Sequence, residues 1–188
     1  MHANSEVVVW DPLVRVFHWS LVAAFFTSYF TEEELLTPHV WAGYLALGLV
    51  LFRVVWGFVG SQHARFADFV YAPPSVLGYL RDLARFRNRR YIGHNPAGGA
   101  MILALLVGVV LSSLSGIVIY GADQHAGPLA GLMAGSGEEA EHFWEEVHEV
   151  LANVTVAMVV IHVAGVVVES LIHRENLVRA MFTGRKRP

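Results

Sequence analysis

The stretch His148–His162, HEVLANVTVAMVVIH, sets two histidines fourteen residues apart in an otherwise largely apolar run. In an α-helix, at about 1.5 Å and 100° per residue, the second imidazole stands ~21 Å beyond the first and only ~40° away in azimuth. One helix thus presents two imidazoles on one face, over a length comparable with the ~30 Å apolar core of a bilayer. Ionisable groups at membrane depth are costly and mark function.

Outward from this stretch, the composition is that of an integral membrane protein. Of 188 residues, 55% are hydrophobic and 15% charged, and the mean hydropathy is +0.48. A chain of this length is expected to form one domain, residues 1–188. It has no cysteine. That excludes disulfides, thiolate zinc sites, iron–sulfur clusters and the covalent C-x-x-C-H attachment of haem. The opening MHANSEVVVWDPLVR mixes acidic and basic residues and is a poor signal-peptide n-region.

Four stretches are apolar over membrane length, at about 13–30, 39–59, 96–122 and 147–172. The expected fold is an all-α membrane four-helix bundle. Pro38 and Pro96 stand at span starts, where a missing amide donor costs little. The connections are strongly segregated by charge. Glu32–Pro38 carries three glutamates and Gly121–Glu146 carries Asp123, Glu138, Glu139, Glu141, Glu145 and Glu146, with no Lys or Arg in either. The loop between spans two and three carries Arg65, Arg81, Arg85, Arg87, Arg89 and Arg90, and the tail carries Arg174, Arg179, Arg185, Lys186 and Arg187. With Arg15, twelve of the thirteen basic residues fall on one side. The positive-inside rule then puts both termini and the long loop in the cytoplasm. Within that loop, PPSVLGYLRDLARFRNRR spaces apolar residues helically among arginines and reads as a short amphipathic helix on the inner leaflet. The competing reading is an exposed basic linker.

This orientation assigns each histidine a depth. His39 and His148 open spans two and four on the outer side, while His18 and His162 lie toward the inner side. Two pairs at matching depth result, His39/His148 and His18/His162, each joining two helices. That is what two bis-imidazole haems in a bundle require. Arg53, the thirteenth basic residue, follows His39 by fourteen positions and belongs at the level of the inner pair. A buried guanidinium needs an anion, and a haem propionate would serve; the alternative is that Arg53 snorkels to the interface. Small residues near the histidines, Gly43, Ala46, Gly48, Ala152 and Gly165, give porphyrin clearance or merely pack helices. Span three, with Gly98, Gly99, Gly108, Ser112, Ser113 and Gly116 but no internal histidine, reads as a packing helix. His94 either borders a quinone pocket or a propionate, or is a solvated interfacial residue. His2, His63, His125, His142 and His173 read as solvated. An outer metal site from His125, His142 and the Glu138–Glu149 cluster competes with a simply solvated acidic loop.

RVFHWSLV (15–22), PHVWAGYLALGLVLFRVVWGF (38–58) and VHEVLANVTVAMVVIHVAG (147–165) with the basic tail resemble the bacterial di-haem cytochrome b561 family and the cytochrome b subunits of nickel–iron hydrogenases. WDPLVRVFHW (10–19) and GHNPAGG (93–99) are similar to the hydrogenase branch. The resemblance covers nearly the whole chain. It implies His18, His39, His148 and His162 as ligands of two b-type haems, and electron transfer in the bacterial inner membrane, often with quinone.

The expected function is transmembrane electron transfer between membrane quinone and a periplasmic redox partner, a quinone-linked oxidoreductase if it is an enzyme. The alternative is an anchor subunit that wires a hydrogenase or dehydrogenase to the quinone pool. A third reading is a haem-free transporter or ion-binding protein. No nucleic-acid partner is expected.

Overall fold

The computed structural model describes residues 6–31 and 35–188, so Glu32–Glu34 and His2 lie outside the described residues. Eight helices are present among them: α1 Pro12–Thr31, α2 Leu36–Val59, α3 Phe66–Phe69, α4 Pro73–Ala84, α5 Pro96–Ala122, α6 Ala130–Met133, α7 Glu138–Ile172 and α8 Leu177–Thr183. A two-residue antiparallel pair joins β1, Val7–Val8, to β2, Arg185–Lys186. α1, α2, α5 and α7 are long and apolar enough to cross a membrane. They also leave many large apolar side chains exposed, such as Trp41, Leu51, Val55 and Phe58 on α2 and Val150, Val160 and Leu171 on α7. A water-soluble surface does not carry so much apolar area, whereas lipid covers it at no cost. The chain is a multi-pass membrane protein.

The folded chain divides into two compact units, to each of which all four long helices contribute a stretch. One comprises residues 20–50 and 105–158. Its core is made where small and hydroxyl residues let backbones approach. Thr155 is fully buried, returns its hydroxyl to Leu151 O at 2.7 Å, and lies against Gly108, where a Cβ would meet Thr155 Oγ1 at 2.8 Å and Met158 Cε at 2.7 Å.

The other unit comprises residues 1–19, 51–104 and 159–188. Asp11 caps α1 by accepting from Val14 N at 2.9 Å, and also accepts from Ser61 Oγ at 2.5 Å and Trp56 Nε1 at 3.3 Å. Burial works to raise its pKa, yet these bonds hold it below the ordinary carboxylate value. α4 buries Tyr79, which donates to Glu169 Oε1 at 2.7 Å, while Leu77 and Leu80 stay exposed beside Arg81. The helix expected in the arginine-rich loop is therefore present, ending at Ala84 and not running on to Arg90.

Two features depart from the hydropathy reading. α7 begins at Glu138, nine residues before the expected span, because its first turns are polar. Glu138, Glu139 and Glu141 there complement the positive end of the helix dipole. The basic tail is folded. Asn176 accepts from Arg179 N at 2.7 Å to start α8, and Gly184 ends it at φ +79°. The Gly184 carbonyl then accepts from Val9 N at 2.8 Å and Trp10 N at 3.1 Å. Only glycine serves here, since a Cβ would also stand 2.5 Å from Trp10 O.

Candidate haem sites

His39 on α2 and His148 on α7 meet in the first unit, with ring centroids 6.0 Å apart and planes at 79°. Each Nδ1 lies against a main-chain carbonyl, His39 at 2.8 Å from Ser28 O and His148 at 3.0 Å from Ser112 O. A carbonyl only accepts, so Nδ1 carries the proton and donates. With Nδ1 so engaged, Nε2 is the nitrogen of each ring left to bind a metal. An imidazole nitrogen bonds a transition metal at about 2.0–2.1 Å. His39 and His148, with ring centroids this close, would hold one haem iron between them, one ring from α2 and one from α7.

The surroundings explain how this pair is held. Ser115 Oγ lies 3.0 Å from His148 Nδ1 and donates to Ser112 O at 2.9 Å. Gly116 clears the ring, since a Cβ there would stand 2.9 Å from His148 Cε1. On the α1 side, Ser28 Oγ donates to His39 O at 3.2 Å. Sequence reasoning missed Ser28 and Ser115 and read α5 as packing alone. The signal available was a hydroxyl and a glycine one residue apart, Ser115-Gly116, on the helix without histidines.

His18 and His162 both fall in the second unit, without the ring contact that joins the other pair. His18 packs edge-on against Trp19 at 4.9 Å, and its buried Nδ1 has no partner among the described residues. Arg53 belongs to the same unit and is 3% exposed, so its guanidinium does not reach an aqueous surface. It lies 5.3 Å from the Phe66 ring and 5.5 Å from the Phe69 ring. Its Nη1 is buried and finds no acceptor among the described residues.

His94 also packs on Phe69, at 4.9 Å, and on Trp10, at 4.4 Å, with a buried Nδ1 likewise unpartnered. Burial, reinforced by the charges of Arg53 and Lys186, pushes its pKa down to about 3, so the ring is neutral at physiological pH. The remaining histidines have ordinary partners or none. His63 pairs with Asp68 at 2.8 Å and His173 with Glu169 at 3.3 Å. His142 is 70% exposed beside Glu145 and Glu146 of its own helix. His125 is exposed, and no cluster of three or more metal-ligating side chains forms among the described residues.

Four membrane-length helices, imidazoles set for metal and no thiol define a class, the multi-pass membrane cytochromes that hold b-type haem without a covalent bond. The family follows from comparison. A family model described as "Prokaryotic cytochrome b561" matches residues 9–184, and the chain belongs to that family. It is similar to proteins named "Probable Ni/Fe-hydrogenase B-type cytochrome subunit". The one from Azotobacter vinelandii is 30% identical over 96% of this chain and 88% of the relative. That from Azotobacter chroococcum mcd 1 is 29% identical over the same shares, and that from Cupriavidus necator is 27% identical over 94% and 85%. No solved structure matches the chain.

Proposed function

We propose that the chain carries two b-type haems, one between His39 and His148 and one between His18 and His162, and moves electrons through them across the bacterial inner membrane. The reading is carried by one observation: His39 and His148 stand 6.0 Å apart with both Nδ1 atoms committed to carbonyls. When bound, the haems supply one-electron redox chemistry. The protein's part is to fix ligand tautomer and orientation, exclude water and set the charge around each iron.

Arg53 Nη1, buried and without an acceptor among the described residues, supports a propionate partner for the His18/His162 haem, since a buried guanidinium needs its donors satisfied. The segregation of charge supports cytoplasmic termini. Electrons then pass between membrane quinone and a redox partner on the periplasmic side.

A specific observation favours a narrower role. The relatives covered almost end to end are named as hydrogenase cytochrome subunits, which supports membership of a complex with a nickel–iron hydrogenase. In that case the chain anchors the complex and connects it to the quinone pool.

The test of the two-haem reading is a pyridine haemochrome count on the purified chain, expected at two haem b per chain. His148→Ala and His162→Ala should each lower the count to about one, whereas His142→Ala should leave two. A chain saturated with haem during expression that binds none rejects the reading. Co-purification of a hydrogenase with the tagged chain separates the complex from a free-standing cytochrome.

A further inference from the structure

α4 carries two apolar faces and spends only one of them on the protein. Val76, Tyr79 and Leu83 recur at the spacing of one helix face, and this face is turned inward. Leu77, Leu80 and Ala84 repeat that spacing one residue later, so their stripe lies about 100° around the helix. The described residues leave it uncovered: Leu77 is 65% exposed, Leu80 is 45% exposed, and Ala84 is exposed as well. The rotation of α4 is fixed from the other face. Buried Tyr79 donates to Glu169 Oε1 of α7 at 2.7 Å, and Asn88 Nδ2 donates to the same oxygen at 2.9 Å. With Tyr79 so held, the leucine stripe cannot turn inward. Ser75 and Asp82, on the side opposite the stripe, are exposed. One face on the protein, one apolar face free and a polar back is the pattern of a helix lying in a membrane interface.

The end of α4 points the same way. Arg87 N donates to Asp82 O and Phe86 N to Leu83 O, both at 2.9 Å, which is a Schellman end. It puts Phe86 in the left-handed region at φ +55°, where glycine is the usual residue and a Cβ is strained. The Phe86 side chain recovers little of that within the chain, since it is 79% exposed. A ring held out at the end of an interfacial helix gains by entering the boundary between headgroups and acyl chains.

Charge selects the lipid. Of the five arginines in residues 81–90, only Arg90 has a carboxylate partner among the described residues, Glu175 at 3.0 Å. Arg81, Arg85, Arg87 and Arg89 are exposed. Arg81 flanks the leucine stripe and the others follow it, so their stems can lie along apolar surface while the guanidinium groups reach phosphate. In a zwitterionic lipid the headgroup's own cation competes for that phosphate. In a lipid of net negative charge it does not.

We propose that α4 and the turn after it form a docking site for anionic phospholipid, with Leu77, Leu80 and Phe86 against the acyl chains and Arg81, Arg85, Arg87 and Arg89 on the headgroups. The site needs only the spans and the loop between the second and third of them, and is independent of the haems.

The experiment uses the purified full chain in phosphatidylcholine nanodiscs. The chain has no cysteine, so Ala84→Cys places a single bimane on the stripe without removing a leucine. Lipids with a doxyl quencher on the acyl chain are added, either phosphatidylglycerol or phosphatidylcholine. Doxyl-phosphatidylglycerol should reach half-quenching at a mole fraction at least about fivefold lower, the effect of a single arginine near an anionic surface. Bimane at Ser75→Cys should be quenched by neither. Exchanging Arg81, Arg85, Arg87 and Arg89 together for Gln should abolish the preference and leave quenching by phosphatidylcholine as it was, because Tyr79 still holds the helix. Where that variant fails to fold, high salt on the Ala84→Cys chain decides, since exposed arginine–phosphate contacts are screened and the preference should collapse. Equal quenching by the two lipids, or a preference that survives salt or loss of the arginines, overturns the proposal. So does a stripe that neither lipid quenches, which would mean that protein or water covers it.

Discussion

His148 is held by two hydrogen bonds on one side of its ring and by a missing side chain on another. The missing side chain is the more exposed to test. Gly116 leaves room that a methyl would take, at 2.9 Å from Cε1, and the ring cannot retreat without losing its bonds to Ser112 O and Ser115 Oγ. Gly116→Ala is therefore expected to cut haem at the His39/His148 pair and spare the other pair, a fall from two haems to about one by pyridine haemochrome. Gly78→Ala is the matched control. Gly78 lies on α4 with nothing within 4 Å of a Cβ, so both haems should remain and the helix should gain about 0.5–1 kcal/mol. That His39 and His148 come together was legible from depth, because both open their spans on the same, glutamate-rich side. Gly116 and Ser115 were not. Their role depends on how α5 is rotated against α7, and no one-dimensional pattern carries that angle.

The long helices announce themselves through hydropathy, and α5 spans the 96–122 expected of it. The C-terminal segment was hidden by its own charges, since an arginine-rich tail looks solvated whether or not it folds. Its anchor is Glu175, whose side chain is 6% exposed. Glu175 accepts from Arg90 Nη2 at 3.0 Å and from Arg187 N at 3.1 Å, and lies 3.6 Å from Lys186 Nζ. Lys186 also donates to the carbonyls of Tyr91 at 3.1 Å and Ile92 at 3.0 Å. Burial holds the Lys186 ammonium below its ordinary pKa despite Glu175, so the cluster does more to fix β2 beside β1 than to gain energy from attraction. Breaking it is another matter, because the buried lysine would be left uncompensated. Glu175→Gln should lower stability by about 3 kcal/mol, read as a fall in Tm of the detergent-solubilised holoprotein. The sign with pH follows from the same carboxylate. Burial works to raise the Glu175 pKa, but Arg90, Lys186 and Arg187 N hold it below the ordinary 4.5. Its contribution is complete above that value and is lost as pH falls through the depressed one. The wild-type chain should thus lose Tm on the acid side of pH 4.5, and the Gln variant should lose less over the same window.

The two units carry +7 and −10 of formal charge, and such a separation has a direct consequence for how the chain inserts. Lys and Arg near span ends resist translocation, whereas Asp and Glu contribute little. Orientation should accordingly follow the arginines of residues 65–90 and 174–187, which the positive-inside rule assigns to the cytoplasm. The absence of cysteine makes this cleanly measurable, because a single introduced thiol is the only one to react. Gln124→Cys, on the exposed acidic connection, should be labelled by a membrane-impermeant maleimide in intact spheroplasts. Arg87→Cys, on the exposed basic loop, should be labelled only after lysis. The opposite pattern would invert the chain and put both termini in the periplasm. It would leave the haem count untouched, since that depends on histidines, carbonyls and hydroxyls that do not change with the direction of insertion. Orientation and haem content are thus separable, and the labelling decides the first without bearing on the second.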